Sequence, residues 1–503
     1  MIPVLAAAAL RDVDRLTIAE ENISSTDLME RAAGACTAAM VKLLGPNQPA
    51  EVIVVVGPGN NGGDGLVIAR RLAAAGHSVV VGELGFGRPT ADYLTNRARL
   101  PTTNLRCLGH AELLAYRPQP ADLVIDAIFG SGLSRPPAGP AAAAIRWINK
   151  QSAPVWSVDL PSGLYPDRPP EDIFVRADRT FNLGYPKPAQ FASESGTAYG
   201  KITTVNFPLA DPSPSAAPYP QLITARDAAS FLRQRGPYDH KGTFGHALVV
   251  AGARGTMGAA LLCARAALRA GAGLLTSHVP AVGYEIMQNG LPEGMCLTDP
   301  AQNHLTNFPE ADDYAAVGIG PGIGQEPATV AGLLEFLTTT DRPLVVDADA
   351  LNVLAKHPAA LSSLPPDTIL TPHPKEFSRL FGKQISTFAA WRTQAEQARK
   401  LGVVIVLKGG HTTVADPQGQ FTFNDTGNPG MGTGGSGDVL TGILTGLLAQ
   451  GYPPARAARL GVHLHGLAGD LAAAASSQES LIAGDLIDQL GAAFRTLRTQ
   501  QRT

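Results

Sequence analysis

Asn428-Pro-Gly-Met-Gly-Thr-Gly-Gly-Ser-Gly-Asp438 runs straight into the apolar stretch Val439-Leu-Thr-Gly-Ile-Leu444. Glycines let successive backbone N–H groups converge on one anion without interference from a Cβ. A helix opening near Gly437 would aim its positive end at the same point. The stretch therefore predicts a phosphate cradle. Asp438, held beside that phosphate, can take the proton of a hydroxyl that attacks the γ- or β-phosphate of a nucleotide. A flexible surface loop is the plainer alternative, but such loops seldom end in a Gly-Asp that opens an apolar helix.

Four further segments of the C-terminal half follow continuous apolar strands. Gly320-Pro-Gly-Ile-Gly324 follows Ala315–Ile319, and Asp347-Ala-Asp-Ala-Leu-Asn352 follows Pro343–Val346. Thr371-Pro-His-Pro-Lys-Glu376 follows Asp367–Leu370, and Lys408-Gly-Gly-His-Thr412 follows Val403–Leu407. Loops at the carboxyl ends of buried parallel strands are where open α/β sheets build ligand sites, so these segments are expected to converge.

The N-terminal half opens with a helical pattern over Asp27–Leu43. The strand Glu51–Val56, a loop Gly57-Pro-Gly-Asn-Asn-Gly-Gly-Asp-Gly65, a helix from Leu66 to Ala75 and the strand Ser78–Val81 come next. Later strands at Asp122–Ile125 and Val155–Val158 alternate with helical stretches, which predicts a doubly wound parallel sheet. Glycine spacing alone is a weak signal in the first loop. Asn60, Asn61 and Asp64 strengthen it, because amide and carboxylate oxygens can ligate a hard cation that a plain phosphate cradle does not need. Asp126 and Asp159 end two of the strands and bring carboxylates to the same edge, with Ser162 just beyond. Taken singly, Asp126 reads equally as a strand-end turn residue or helix cap, Asp159 as a turn residue before Pro161, and Asp64 as a cap on the helix at Leu66.

The 503 residues predict two domains. Five prolines between Pro208 and Pro220 leave no helix or central strand possible there, so the linker is placed at 211–222 between domains at 1–210 and 223–503. A net charge of −3 from 40 Lys+Arg and 43 Asp+Glu gives no basic field for nucleic acid, and a small-molecule partner is expected. Cys36, Cys107, Cys263 and Cys296 are isolated, which disfavours disulfides and zinc and fits a reducing cytoplasm. No apolar run approaches the roughly 18 residues that span a bilayer, and Met1–Leu10 reads as the start of a helix. The Gly and Ala residues of Ala259–Ala272 suit packing between subunits or of a helix on its own sheet; a homo-oligomer is the expected assembly. His463 and His465 resemble a metal pair, but alternate spacing on a helix puts them on different faces, so they read as packing residues.

Gly432-Thr-Gly-Gly-Ser-Gly-Asp438, with the four accompanying segments, resembles the ribokinase-like fold in the branch that holds the NAD(P)HX dehydratases. Gly57–Gly65, Asp126-Ala-Ile-Phe-Gly-Ser-Gly-Leu-Ser-Arg135 and Val158-Asp-Leu-Pro-Ser-Gly-Leu164 resemble the NAD(P)HX epimerase domain. The order of the two is similar to that of the bifunctional NAD(P)H-hydrate repair enzymes, over nearly the whole chain. The resemblance implies a Rossmann-like N-terminal domain that interconverts the R and S hydrates of NADH and NADPH. It implies a ribokinase-like C-terminal domain that dehydrates the S form with ADP.

For the epimerase the resemblance implies substrate contacts from Asn60, Asn61, Gly62, Gly63 and Asp64. Gly130, Ser131, Gly132, Leu133, Ser134, Arg135 and Pro136 join them, with Asp159 carrying the proton and potassium between Asn61, Asp126 and Ser162. For the dehydratase it implies nucleotide contacts from Lys408, Gly409, Gly410, His411, Thr412 and Gly437. Ala259, Gly322 and His373 would line the substrate side, and Asp438 would be the base. Magnesium is expected from the phosphoryl chemistry, with Glu376 its candidate ligand. His373 between prolines also reads as an exposed turn residue, and Lys408 as an ordinary strand-end lysine.

Two departures from the family pattern stand out: Met257 replaces a common aromatic residue, and Tyr165-Pro-Asp-Arg-Pro-Pro170 lacks a usual glycine. The alternative function is a vitamin or sugar kinase fused to a cofactor-binding domain, since Gly-Ser-Gly-Asp chemistry is shared with simple kinases. A non-catalytic nucleotide sensor is the third reading, against which two intact proton carriers argue.

Overall fold

The computed structural model describes residues 1–45, 49–101, 104–213 and 218–501. Of the expected linker, 214–217 lie outside the described residues. Two compact units divide the chain. One comprises Pro3–Ala216 with Ser386–Phe388, and the other Met1–Ile2, Ala217–Ile385 and Ala389–Thr503.

In the N-terminal unit seven strands form one parallel sheet, in the order Leu105–Leu108, Val79–Glu83, Val52–Val56, Leu123–Ala127, Val155–Val158, Arg179–Leu183 and Lys201–Val205. The strand Val52–Val56 is apolar at every position because both faces of the sheet are covered there. Val52, Val54 and Val56 enter a core with Leu66, Ile68 and Leu72, whereas Ile53 and Val55 enter a second core with Ile145 and Ile148. Period-two alternation across one strand thus feeds two helical layers. The strand order reverses between Val52–Val56 and Leu123–Ala127, the place where a doubly wound sheet opens a crevice.

The sequence reading of Gly57–Gly65 as a loop needs correction, because the helix begins at Asn60 and runs to Ala74. Its glycines serve packing. A Cβ at Gly62 would lie 1.8 Å from the Gly57 carbonyl, at Gly63 2.6 Å from Met29 Sδ and at Gly65 2.6 Å from Ala127 Cβ. Close approach of the helix start to the Gly57 backbone, to Met29 of the neighbouring helix and to the sheet is what those positions need, so propensity is overridden there. Asp64 consequently lies inside the helix and is no cap.

The C-terminal unit is built on an eleven-stranded sheet. Met295–Asp299, Leu274–Pro280, His246–Val250, Ala316–Ile319, Leu344–Val346, Ile369–Leu370 and Val404–Leu407 are parallel neighbours in that order. Thr413–Ala415 and Phe421–Phe423 continue it antiparallel. The helix Ser436–Ala449 is buried along most of its length and packs on Met257–Arg269. A Cβ at Gly442 would meet the Cys263 carbonyl at 2.1 Å, and one at Gly446 the Ala267 carbonyl at 2.5 Å. The small residues of this region therefore serve a close helix pair within one unit.

Candidate functional site

A cavity of about 560 Å³ opens at the switch point of the N-terminal sheet. Asn60, Asn61 and Asp64 from the first helix turns, Gly130–Arg135 from the loop after Leu123–Ala127, and Asp159 all line it. Gly62, Gly63 and Pro136 do not: the two glycines are buried in packing and Pro136 is exposed.

Asp159 stands at the end of Val155–Val158 with φ 70, in the left-handed region that a non-glycine residue enters only under local constraint. That constraint is visible. Its Oδ1 takes the Lys187 ammonium at 2.5 Å and its Oδ2 the Ser131 backbone N–H at 3.0 Å. Lys187 also donates to Asn182 Oδ1 at 2.8 Å and to the Leu183 carbonyl at 3.0 Å. Gly130 is where the loop comes closest, since a Cβ there would lie 3.1 Å from Asp159 Oδ2 and 3.2 Å from Asn61 Cγ. Arg168, from the stretch that departs from the family pattern, covers the Tyr165 ring at 3.6 Å and donates to the Ser134 carbonyl at 2.9 Å.

Asp126 is fully buried and accepts from Ser162 Oγ at 2.6 Å, Ser162 N at 2.8 Å, Ser157 Oγ at 2.9 Å and Ile128 N at 3.3 Å. Its role as a helix cap is thereby excluded. Burial nevertheless pushes its carboxyl upward against these donors. Ser162 also binds the backbone of Phe129, so carboxylate and hydroxyl fix the base of the cavity loop. Asn61 donates to the Val158 carbonyl at 3.3 Å, while its buried Oδ1 has no partner. The orphaned amide oxygen of Asn61 is the kind of hard donor that a monovalent cation takes.

Two further acids belong to this cavity. Asp14, on the helix Ala7–Glu21, is raised to about 6 by burial and then by the charge of Asp159, with Lys187 opposing. Burial, followed by Asp159 and Asp14, pushes Asp64 well above the carboxylate range. Neither Asp14 nor Lys187 was legible as a site residue. Lys187, in Tyr185-Pro-Lys-Pro188 just past the strand Arg179–Leu183, carried the only available signal: a lysine among prolines at a strand's carboxyl end.

In the C-terminal unit the predicted segments gather along one sheet edge, at the carboxyl ends of neighbouring parallel strands. Gly435, at φ 90, caps the helix Ser436–Ala449, so Gly437 and Asp438 occupy its first turn. Lys408 Nζ lies 2.8 Å from Asp347 Oδ1, and Thr441 donates to Asp347 Oδ2 at 2.7 Å. A Cβ at Gly437 would approach Lys408 Nζ to 3.3 Å, so glycine is what lets the lysine reach across the loop. Burial first and the Asp347 charge second raise Asp438 to about 6, with Lys408 pulling the other way. This is a carboxylate poised near neutrality, as a general base should be. Asp347 and Thr441, which fix the lysine, were not singled out in the sequence; Asp347 sat inside a quoted segment without an assigned role.

Gly409, Gly410 and Gly434 present open backbone: a Cβ at Gly409 would meet only the His411 carbonyl, at 3.7 Å, and at Gly410 or Gly434 nothing within 4 Å. His411 and Thr412 follow on the same turn. Gly322 and Ala259 face each other, 3.2 Å from a Cβ built on the glycine, and Thr256 bonds the Gly322 carbonyl at 2.7 Å. Met257 is buried against Gly252 and Gly283. His373 is the N-cap of the helix Pro374–Phe381 through Nδ1, and burial and Lys408 lower its pKa. Glu376 completes that capping box by accepting the His373 N–H at 2.9 Å, which commits one of its oxygens to the fold. His463 is turned inward as a packing residue, whereas His465 Nε2 meets the Ser436 carbonyl at 2.9 Å; burial lowers both to about 4.

Residues 247–491 match the NAD(P)H-hydrate dehydratase family, and residues 25–189 the family described as YjeF-related protein N-terminus. The chain is 38% identical to the bifunctional NAD(P)H-hydrate repair enzyme Nnr of Moorella thermoacetica, across 99% of this chain and 98% of that protein. It is 36% identical to the enzyme of the same name from Thermofilum pendens, across 98% and 97%. A solved ADP/ATP-dependent NAD(P)H-hydrate dehydratase from Bacillus subtilis, co-crystallized with ATP and Mg2+, is 31% identical over 55% of this chain and 98% of that one, with a TM-score of 0.48.

Proposed function

This chain belongs to the bifunctional NAD(P)H-hydrate repair enzymes, and we propose that its two sites act in series on hydrated nicotinamide cofactor. The N-terminal unit epimerises R and S NAD(P)HX, and the C-terminal unit converts the S form to NAD(P)H while ADP becomes AMP and phosphate. One observation carries the assignment of chemistry: Asp438, raised to about 6, stands on the first turn of the loop-opened helix beside Lys408.

At the dehydratase site Asp438 accepts the proton of the 6-hydroxyl, whose oxygen forms a bond to the β-phosphorus of ADP as the bond to AMP breaks. Loss of the ring proton at C5 and departure of phosphate from C6 then restore the double bond. Lys408, Gly409, Gly410, His411, Thr412 and Gly437 are the proposed nucleotide contacts, with Ala259, Gly322 and His373 on the substrate side. Magnesium, when bound, would supply charge neutralisation at the transferring phosphate, and Asp349, whose charge acts on Asp438, could hold it beside oxygens of the phosphates themselves. Glu376 is better read as the cap of its helix.

At the epimerase site the bond between C6 and its hydroxyl is broken and remade. Asp159 carries the proton, and Lys187 and Ser131 hold its two oxygens in place. Asn60, Asn61, Asp64 and Gly130–Arg135 are the proposed substrate contacts. Asn61, Asp126 and Ser162 would hold potassium, which supplies fixed positive charge at the base of the loop. Four unpaired cysteines support a cytoplasmic setting, and no helix among the described residues is long and apolar enough to cross a membrane. A homo-oligomer remains the assembly to be tested, by light scattering.

The decisive experiment follows absorbance at 340 nm when the protein meets mixed R and S NADHX with ADP and magnesium, beside Asp159→Asn and Asp438→Asn. Complete recovery is expected from the wild type, recovery of the S half from Asp159→Asn, and none from Asp438→Asn. A stable phosphorylated product without recovery would point instead to a simple kinase.

A further inference from the structure

The helix Pro454–Ala475 touches the glycine-rich loop at both of its ends. At the start, Thr426 Oγ1 donates to the His463 carbonyl at 3.0 Å. Asp470 takes the Gly427 N–H at 2.9 Å and the Asn428 side-chain amide at 3.0 Å. Asn428 in turn accepts the Gly430 N–H at 3.1 Å, passing the constraint into the loop. In the middle, the helix allows close approach only through its glycines: a Cβ at Gly469 would lie 2.3 Å from Met431 Sδ, and one at Gly466 2.3 Å from Thr426 Oγ1. At the far end, His465 Nε2 lies 2.9 Å from the Ser436 carbonyl and 3.3 Å from its hydroxyl. Ser436 immediately precedes Gly437 and Asp438 in the first turn of the catalytic helix.

We infer that this helix is the template of the phosphate cradle, with Asp470 and His465 as positioning residues that set the distance between the loop's start and the N–H groups around Gly437. The inference rests on the reading of the Gly432–Asp438 stretch as the nucleotide-phosphate site. A loop this rich in glycine has the widest choice of backbone conformations and the largest entropy to lose on binding an anion. Pinning both ends before the ligand arrives removes much of that loss, which is how preorganisation raises affinity. His465 is neutral at physiological pH because burial depresses it to about 4. Its Nε2–H can therefore donate to Ser436 O without placing a second cation beside Lys408. The ion pair between Asp347 and Lys408 belongs to other elements, so loss of the template would loosen the cradle while leaving the lysine anchored.

The test uses the full-length protein with Asp470→Ala, His465→Leu and the conservative His465→Gln, whose amide N–H can reach a similar position. In the first two, KM for ADP is expected to rise at least tenfold while KM for S NADHX stays within about twofold. Hydrogen exchange of the Gly432–Gly437 amides in the ligand-free protein should accelerate at least tenfold, with exchange in the rest of the unit unchanged. His465→Gln should recover most of both effects, and unchanged exchange in the rest of the C-terminal unit serves as the internal control for its folding. Unchanged loop exchange and unchanged KM for ADP in His465→Leu and Asp470→Ala would overturn the inference. So would a loss in His465→Leu that His465→Gln does not recover. If the wild type consumes no ADP, the nucleotide reading itself fails, whereas the exchange measurement still decides whether the helix organises the loop.

Discussion

The ammonium of Lys187 lies 2.5 Å from Oδ1 of Asp159, and Lys187 is only 1% exposed. The other carboxylate oxygen accepts the N–H of Ser131. Asp159 is thus held between a buried cation and the loop that lines the cavity, with its backbone in the left-handed region. Two partners on opposite oxygens fix the direction in which the carboxylate faces the substrate, and one of them moves with the loop.

Lys187→Met should therefore cost far more than a surface charge. Removing one partner of a buried ion pair leaves the other uncompensated, at about 3–5 kcal/mol. The epimerase rate should fall at least about 100-fold, the order expected for a misplaced proton carrier. Dehydration of purified S NADHX should continue. Separate assays with the R and S epimers check this, and R conversion within threefold of wild type would show that the pair has no catalytic weight.

The fold was legible wherever its signal was local. Continuous apolar strands such as Val52–Val56 and Val404–Leu407 can only be strands buried on both faces, and their loops had to meet at one edge. Asp438 announced itself because the cradle and the carboxylate are adjacent in sequence. Lys187, Asp14 and Asp347 gave no such notice, since what makes them functional is a partner far along the chain: Asp159, the cavity, and Lys408 with Thr441. The helix start at Asn60 was misread for a related reason. Glycine signals a loop by its own propensity, and only the neighbouring Gly57 carbonyl and Met29 reveal that small size was the requirement.

Gly62 and Gly132 separate these two uses of glycine. A Cβ at Gly62 would sit 1.8 Å from the Gly57 carbonyl, whereas one at Gly132 meets nothing within 4 Å. Gly62→Ala should lower stability of the N-terminal unit by about 1–3 kcal/mol or more, as overpacking does. Gly132→Ala should leave the melting temperature within about a degree, since ΔΔG near zero moves it little, and alter only the kinetics of R NADHX. Thermal melts of both variants beside epimerase assays decide it. Equal melting behaviour would mean the helix start relaxes more freely than its packing implies.

Thr441 lies fully buried one helical turn below Gly437 and donates to Asp347 at 2.7 Å. Thr441→Val keeps the shape and removes the donor. A hydrogen bond to a charged group is worth about 1.5–3 kcal/mol, so Asp347 should hold Lys408 less well and kcat/KM for ADP should fall about tenfold or more. Thr441→Ser should restore most of it. Steady-state kinetics on S NADHX with varied ADP test this, and a Val variant as active as the Ser variant would show that Lys408 needs no such support.

Asp438 links activity to stability through its proton. In the folded protein its pKa is raised from 3.8 to about 6, chiefly by burial and then by Asp347. The folded state therefore binds this proton more tightly than the unfolded chain does. Its contribution is most favourable below pH 3.8, declines as pH rises through about 6, and stays unfavourable above that, by about 3 kcal/mol for a shift of this size. Catalysis runs the other way, because a base must be deprotonated: kcat/KM of the dehydratase should rise from pH 5 to 7 with a midpoint near 6. Asp438→Asn removes the charge and the base together. The variant should lose at least about 1,000-fold in dehydratase rate yet melt higher than wild type at pH 8, with the difference vanishing near pH 4. A flat wild-type profile between pH 5 and 7, or a variant that melts lower at pH 8, would show that Asp438 is not the strained base that its surroundings make it.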